Sequence, residues 1–133
     1  MGSEQQVQYA YYRDFQSSLG ELWRKGGKFQ KAADQITTIR GRIGTSIDPF
    51  LGFALTNHGE SRIPHCVKYD LQGACRLITV KDRHVCVFLF CGDHATCDLW
   101  LESNRGLVPI VGQDNMITVT YVSDSDSSRP KVG

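Results

Sequence analysis

The stretch Asp14-FQSSLGELWRKGGKFQKAADQITTIRGR-Ile43 decides the fold. Phe15, Leu19, Leu22 and Trp23 recur at helical spacing, so an amphipathic helix runs from about Asp14 to Lys25. Gly26-Gly27 breaks it. Phe29, Ala32, Ala33, Ile36, Ile39 and Ile43 then line one face of a second helix, whose outer face carries Lys28, Lys31 and Arg40. Two helices joined by two glycines form an antiparallel hairpin.

On the N-terminal side, Val7, Tyr9 and Tyr11 alternate and read as a short strand. On the C-terminal side, Gly44 to Gly59 reads as a loop with turns at Asp48-Pro49 and Asn57-His58-Gly59. After it the period changes to two. Ile63, Val67, Tyr69 and Leu71 are expected on one face of a strand, and Arg62, Cys66, Lys68 and Asp70 on the other. Gln72-Gly73 turns into a return strand from Cys75 to Val80, and Lys81-Asp82-Arg83 turns into Val85 to Cys91, an apolar run typical of a central strand. Gly92-Asp93 ends that strand. Cys97, Trp100 and Leu101 mark a short helix closed at Asn104-Arg105-Gly106. Leu107 to Val111 and Met116 to Val122 read as further strands, and the polar tail from Ser123 as disordered. The predicted class is α+β: one antiparallel β-sheet with an N-terminal helical hairpin packed on one face and a short C-terminal helix, in the order β-α-α-β-β-β-α. A single domain over 1–122 is expected.

Composition narrows the function. At 133 residues and 41% hydrophobic, the chain has the arithmetic of one globular domain. Fifteen Lys/Arg against fourteen Asp/Glu exclude a broadly basic nucleic-acid binder, while leaving room for a locally basic site. The surplus is uneven: 1–47 holds seven basic and four acidic residues, 48–112 six and seven, and 113–133 two and three. No apolar run is long enough to span a membrane. Five cysteines without a Cys-x-x-Cys pair argue against a disulfide framework and for a reduced, cytoplasmic setting. His65-Cys66 and Cys91 with His94 lack the paired ligand spacing of structural zinc, so no metal and no cofactor is expected.

This order, with these residues, resembles the RelE/ParE superfamily of bacterial toxins from about Val7 to Asn104. Phe15-x-x-x-Leu19-x-x-Leu22 is similar to the first-helix signature, and Leu55 to Arg62 (LTNHGESR) to the lead-in to the second strand. Arg76-Leu77-Ile78 stands where the family has Tyr-Arg-Leu-Val. Gly92-Asp93-His94, with Trp100 beyond, resembles a closing stretch that usually ends on tyrosine. The resemblance implies one of several activities: ribosome-dependent mRNA endonuclease, gyrase poison of the ParE type, or an inactive or fused relative. The leading expectation is a toxin domain that cleaves mRNA at the ribosome without a metal, inhibits translation and is neutralised by a cognate antitoxin. The alternatives are a non-catalytic toxin-fold module of a larger nucleic-acid-processing or defence protein, and a gyrase inhibitor.

Metal-free RNA cleavage needs a base for the 2′-hydroxyl, positive charge for the phosphorane and an acid for the leaving oxygen. The candidate catalytic residues are Arg76, His94, Lys68 and Arg62, and the candidate RNA-binding residues Trp100 and Glu60. Arg62 and Lys68 either straddle a phosphate or are solvated charges. Arg76 interrupts an apolar strand; it resembles the family's transition-state arginine, or else forms an ion pair with Asp70 or Glu60. His94 is an acid or base, or a surface or capping residue. Trp100 stacks on a base or belongs to the core. Glu60 is a general base or an exposed turn carboxylate. His65 reads as a core histidine, and His58 and His84 as turn residues.

Overall fold

The structure, a computed structural model, describes residues 6–56 and 60–122. The expected turn at 57–59, with His58, and the tail from Ser123 lie outside the described residues. The elements follow the predicted order: β1 (Gln8–Tyr11), α1 (Arg13–Lys25), α2 (Lys28–Arg42), β2 (Cys66–Leu71), β3 (Cys75–Asp82), β4 (Val85–Asp93), α3 (His94–Ser103), β5 (Leu107–Val111) and β6 (Ile117–Tyr121). Gly26 and Gly27 make the tight turn of the helical hairpin, both at positive φ (+68° and +56°), where a side chain would be strained.

The first four strands form one sheet in the order β1-β4-β3-β2. Strands β2, β3 and β4 are an antiparallel meander, but β1 runs parallel to β4, from Gln8 opposite Val85 to Tyr11 opposite Phe88. The expectation of one wholly antiparallel sheet is corrected on this point. Alternation identifies a strand and carries no information about the direction of a partner some 75 residues away in the chain. Strands β5 and β6 form a separate two-stranded antiparallel sheet rather than extending the first.

Both faces of the main sheet are covered. On one, Phe15, Leu19 and Leu22 of α1 and Ala33, Ile36 and Ile39 of α2 pack on Tyr69, Leu77, Phe88 and Cys91. On the other, Cys97, Trp100 and Leu101 of α3 and Leu107 of β5 pack on Ile78, Val80, Val87 and Leu89. Two covered faces explain why β4 reads as an unbroken apolar run. The register shifts between Ile78 and Thr79, which face Phe90 and Phe88, so Leu89 is the extra residue of a β-bulge. Leu89 and Phe90 consequently both pack toward α3, and Gly92 falls on that face too, near Thr96.

A tight crossing fixes the C-terminal hairpin. Gly106 N–H donates to Arg62 O (2.7 Å), and Gly106 O accepts from Val122 N–H (2.7 Å). A Cβ at Gly106 would lie 1.9 Å from Val122 O, so only glycine fits.

Candidate functional site

The meander sets Asp70, Arg76 and Gly92 in one row across β2, β3 and β4, on the face covered by α3. The Leu71–Cys75 pairing closes this hairpin, with Gly73 (φ +69°) and Ala74 (φ +56°) in the turn. Arg76 is buried to 20% side-chain exposure and its Nε lies 3.6 Å from Oδ1 of the half-exposed Asp70. That is an ion-pair distance beyond hydrogen-bond range, and the buried Nε has no hydrogen-bond partner. Thr56 Oγ1 donates to the same Asp70 oxygen at 3.1 Å. Residues 54–56 lie along the outer edge of β2, where Thr56 N–H donates to Lys68 O and Asp70 N–H to Ala54 O, each at 2.9 Å.

Two residues beyond Gly92, the exposed His94 opens α3, its N–H donating to Ala74 O at 3.2 Å. Asp93 caps the helix by accepting from Thr96 N–H at 2.8 Å. That hydrogen bond, together with the positive charges of Lys25 and Lys28, holds the Asp93 carboxyl below its ordinary value. Arg76 and His94 thus share one end of the sheet.

Arg62 and Lys68 are brought together on a carboxylate. Glu60, with only 4% of its side chain exposed, accepts from Arg62 Nε at 2.7 Å, and its other oxygen accepts from Lys68 Nζ at 2.9 Å. Arg62 backbone N–H (2.8 Å) and Nη2 (3.0 Å) complete the grip. Burial alone would raise the Glu60 pKa, but the hydrogen bonds from Arg62 and Lys68 outweigh it and hold the carboxyl at about 2. Arg62 also reaches α3, 3.3 Å from Asp98 Oδ1 and 3.9 Å from Glu102 Oε1. This network ties the lead-in of β2 to α3. Three cations (Arg62, Lys68, Arg76) meet four carboxylates (Glu60, Asp70, Asp98, Glu102) on this face.

Several expectations change. Arg62 precedes β2 instead of sharing a strand face with Lys68, because His65 takes a left-handed conformation (φ +60°) that interrupts the alternation. Ile63 accordingly packs on the α3 side, away from Val67, Tyr69 and Leu71. His65 is exposed, not a core histidine, and lies 3.9 Å from Asp82. Glu60 is buried and doubly paired, so it is neither an exposed turn carboxylate nor an available RNA contact. Trp100 is 8% exposed, stacked on Phe90 with centroids 5.1 Å apart, and its Nε1–H donates to Asp14 at 2.9 Å. Its ring is spent in the core and offers no face to a base. His84 is in the exposed β3–β4 turn.

The five cysteines are free, and burial pushes the Cys86 and Cys91 thiols up to about 12, which removes them as nucleophiles. Among the described residues no group of three or more His, Cys, Asp or Glu could hold a metal ion, and no helix is long and apolar enough to cross a membrane. A cleft of about 240 Å³ opens between α1 and the end of β4, lined by Asp14, Ser18, Leu22, Lys25, Phe90 and Thr96. Here β4 extends beyond Phe88, the last residue paired with β1. The Cys91 N–H finds a side-chain acceptor in Ser18 Oγ (3.0 Å), which itself donates to Phe15 O (2.9 Å). A buried serine in the apolar stripe of α1 is accounted for by that bond.

Two site residues escape sequence reading: Asp98 and Thr56 join the site only through tertiary contacts, and nothing in their neighbours marks them. Of the two ion-pair partners expected for Arg76, the hairpin register selects Asp70.

No protein-family model matches the chain, and no curated protein matches it in sequence. Solved structures do. YafQ from E. coli strain BL21(DE3) superposes with a TM-score of 0.53 at 12% identity, over 69% of this chain and 98% of YafQ. The E. coli DinJ-YafQ toxin-antitoxin complex matches with 0.46 and 11% over 68% of this chain and 96% of that one. The conserved hypothetical protein HP0894 from Helicobacter pylori matches with 0.45 and 15% over 67% and 96%. The fold is RelE-like.

Proposed function

We propose, on the premise that this chain carries the RelE-like toxin fold, that it is a toxin domain that cleaves RNA, with mRNA at the ribosome as its target and a cognate antitoxin as its inhibitor. The observation that carries the reading is the row Asp70–Arg76–Gly92 with His94 at the same end. It supplies one carboxylate, one guanidinium with a buried, unbonded Nε, and one exposed imidazole. In this scheme Asp70 accepts the 2′-hydroxyl proton as the 2′-oxygen attacks the adjacent phosphorus. Arg76 stabilises the phosphorane charge, and His94 protonates the departing 5′-oxygen. The products are a 2′,3′-cyclic phosphate and a 5′-hydroxyl. Arg62, Lys68 and Glu60 hold α3 against the sheet in this reading and take no part in the chemistry.

The antitoxin is proposed by analogy with YafQ, which is also found in a toxin-antitoxin complex with DinJ. Expression of the chain in bacteria, with growth and mRNA integrity followed together, tests the proposal. Arrest with mRNA cleavage that disappears in Arg76→Ala with His94→Ala supports it. No arrest, or arrest indifferent to both substitutions, sinks it.

A second reading, a non-cleaving toxin-fold module of a larger nucleic-acid-processing or defence protein, is favoured by one specific observation. Glu60 engages two of the three cations on the α3 face, leaving Arg76 as the guanidinium of that face that it does not hold. A purified chain that binds RNA and leaves it intact on ribosomes would favour that reading over the first.

A further inference from the structure

The cations of the α3 face each have a carboxylate; three lysines at the tip of the helical hairpin have none within ion-pair distance among the described residues. Residues 23–31 (WRKGGKFQK) carry four cations and no acid, so the rest of the chain sums to −3 against a total of +1. Arg24 is paired with Glu21. Lys25, Lys28 and Lys31 are exposed, and among the described residues no carboxylate lies within ion-pair distance of them. The Lys25 and Lys28 ammoniums stand over the same ring, 5.0 and 5.4 Å from the centroid of Phe29. Two like charges on one ring repel each other. The arrangement is also set at the positive end of a helix dipole: α2 starts at Lys28 with no acid in its first turn and no side-chain cap. The dipole of α1 favours Lys25 in its last turn, but that of α2 opposes Lys28 and Lys31 in its first, and an anionic partner would relieve this penalty together with the repulsion between the ammoniums.

A cluster of ammoniums without carboxylate partners on an exposed turn is the chemistry that tracks the phosphate backbone of a nucleic-acid strand. The tip also neighbours the proposed site: Lys25 lines one cleft with Asp93, which precedes His94, and the Lys28 carbonyl abuts Gly73 in the β2–β3 turn.

We infer that the tip of the α1–α2 hairpin, through Lys25, Lys28 and Lys31, is a docking surface for the backbone of single-stranded nucleic acid. The inference extends the RNA-directed reading and is tested apart from it, because binding is measured on strands that the chain cannot cut.

Fluorescence anisotropy of the intact chain with a labelled 2′-O-methyl RNA 12-mer, as salt is varied, reads the surface directly. Three phosphate contacts give a slope of about −2 in log K against log salt. Lys25→Gln, Lys28→Gln and Lys31→Gln together should weaken binding at least tenfold at low salt and flatten the slope. Arg83→Gln, which removes an exposed cation of the β3–β4 turn, should bind the strand normally, so loss of docking and a general loss of positive charge are told apart. Circular dichroism of the variants, all altered at exposed positions, confirms that they fold. Binding unchanged by the three glutamines overturns the inference. So does a preference for duplex DNA, or capture by phosphatidylserine vesicles without capture of the oligonucleotide.

Discussion

Glu60→Gln removes the charge that Arg62 and Lys68 share while keeping the shape of the side chain. Hydrogen bonds from Arg62 and Lys68 hold the Glu60 carboxyl at about 2, against 4.5 for the free group, so the folded state favours the ionised form. At about 1.36 kcal/mol per pH unit that difference corresponds to roughly 3 kcal/mol. Because the folded value lies below the unfolded one, this stabilisation is fully present above about pH 5 and is lost as the pH falls toward 2. Other carboxylates titrate over the same window, so the difference between the two proteins is the quantity to read. Urea unfolding at pH 7, 5, 4, 3 and 2 supplies it. At pH 7 the variant should be less stable by about 3 kcal/mol or more, since Lys68 is left nearly buried without its partner. The gap should narrow steadily below pH 5. Equal stabilities at pH 7, or a gap that stays constant to pH 2, would refute the assignment of Glu60 as the clamp between β2 and α3.

Gly106→Ala drives a Cβ into the Val122 carbonyl and should cost more than about 2 kcal/mol, with amide protection in β5 and β6 lost before that of β3 and β4; protection that falls evenly in all four strands would contradict this. Ser18→Ala removes the side-chain acceptor of the Cys91 N–H and should destabilise by about 1–3 kcal/mol in chemical denaturation, with no change in Trp100 emission. Arg76→Met keeps the length of the side chain and removes an orphaned Nε. Its stability should stay within about 1 kcal/mol of the parent while RNA cleavage falls at least a hundredfold, a pairing that a purely structural arginine would not give.

The helical hairpin is legible because period and punctuation agree: an apolar stripe on each side of two glycines. Strand β4 is legible for a different reason, since burial on both faces leaves no polar alternation to confuse it. The bulge at Leu89 has no local signature, and it decides which side Gly92 faces. Around the site, alternation misleads at the point where the chain leaves it. Carried back from β2, it puts Arg62 beside Lys68 on one face. His65 turns the backbone before that pattern can extend, and Glu60 gathers both cations by a route with no sequence period. The Asp70–Arg76 pair survives because a short hairpin turn fixes the register on either side of it. Trp100 follows its helical spacing with Cys97 and Leu101 into the core.

The Gly106 crossing also sets an order of assembly. It joins the lead-in of β2, the turn after α3 and Val122, the residue that follows β6, segments far apart in the chain. The β5–β6 hairpin can form by itself in about a microsecond to ten microseconds, yet it has nothing to dock on until residues 60–63 have settled against α3. It therefore locks last and releases first. The cheapest partial opening of this protein peels the C-terminal hairpin away as a unit, and the part of the sheet it uncovers is the apolar face beneath Leu107.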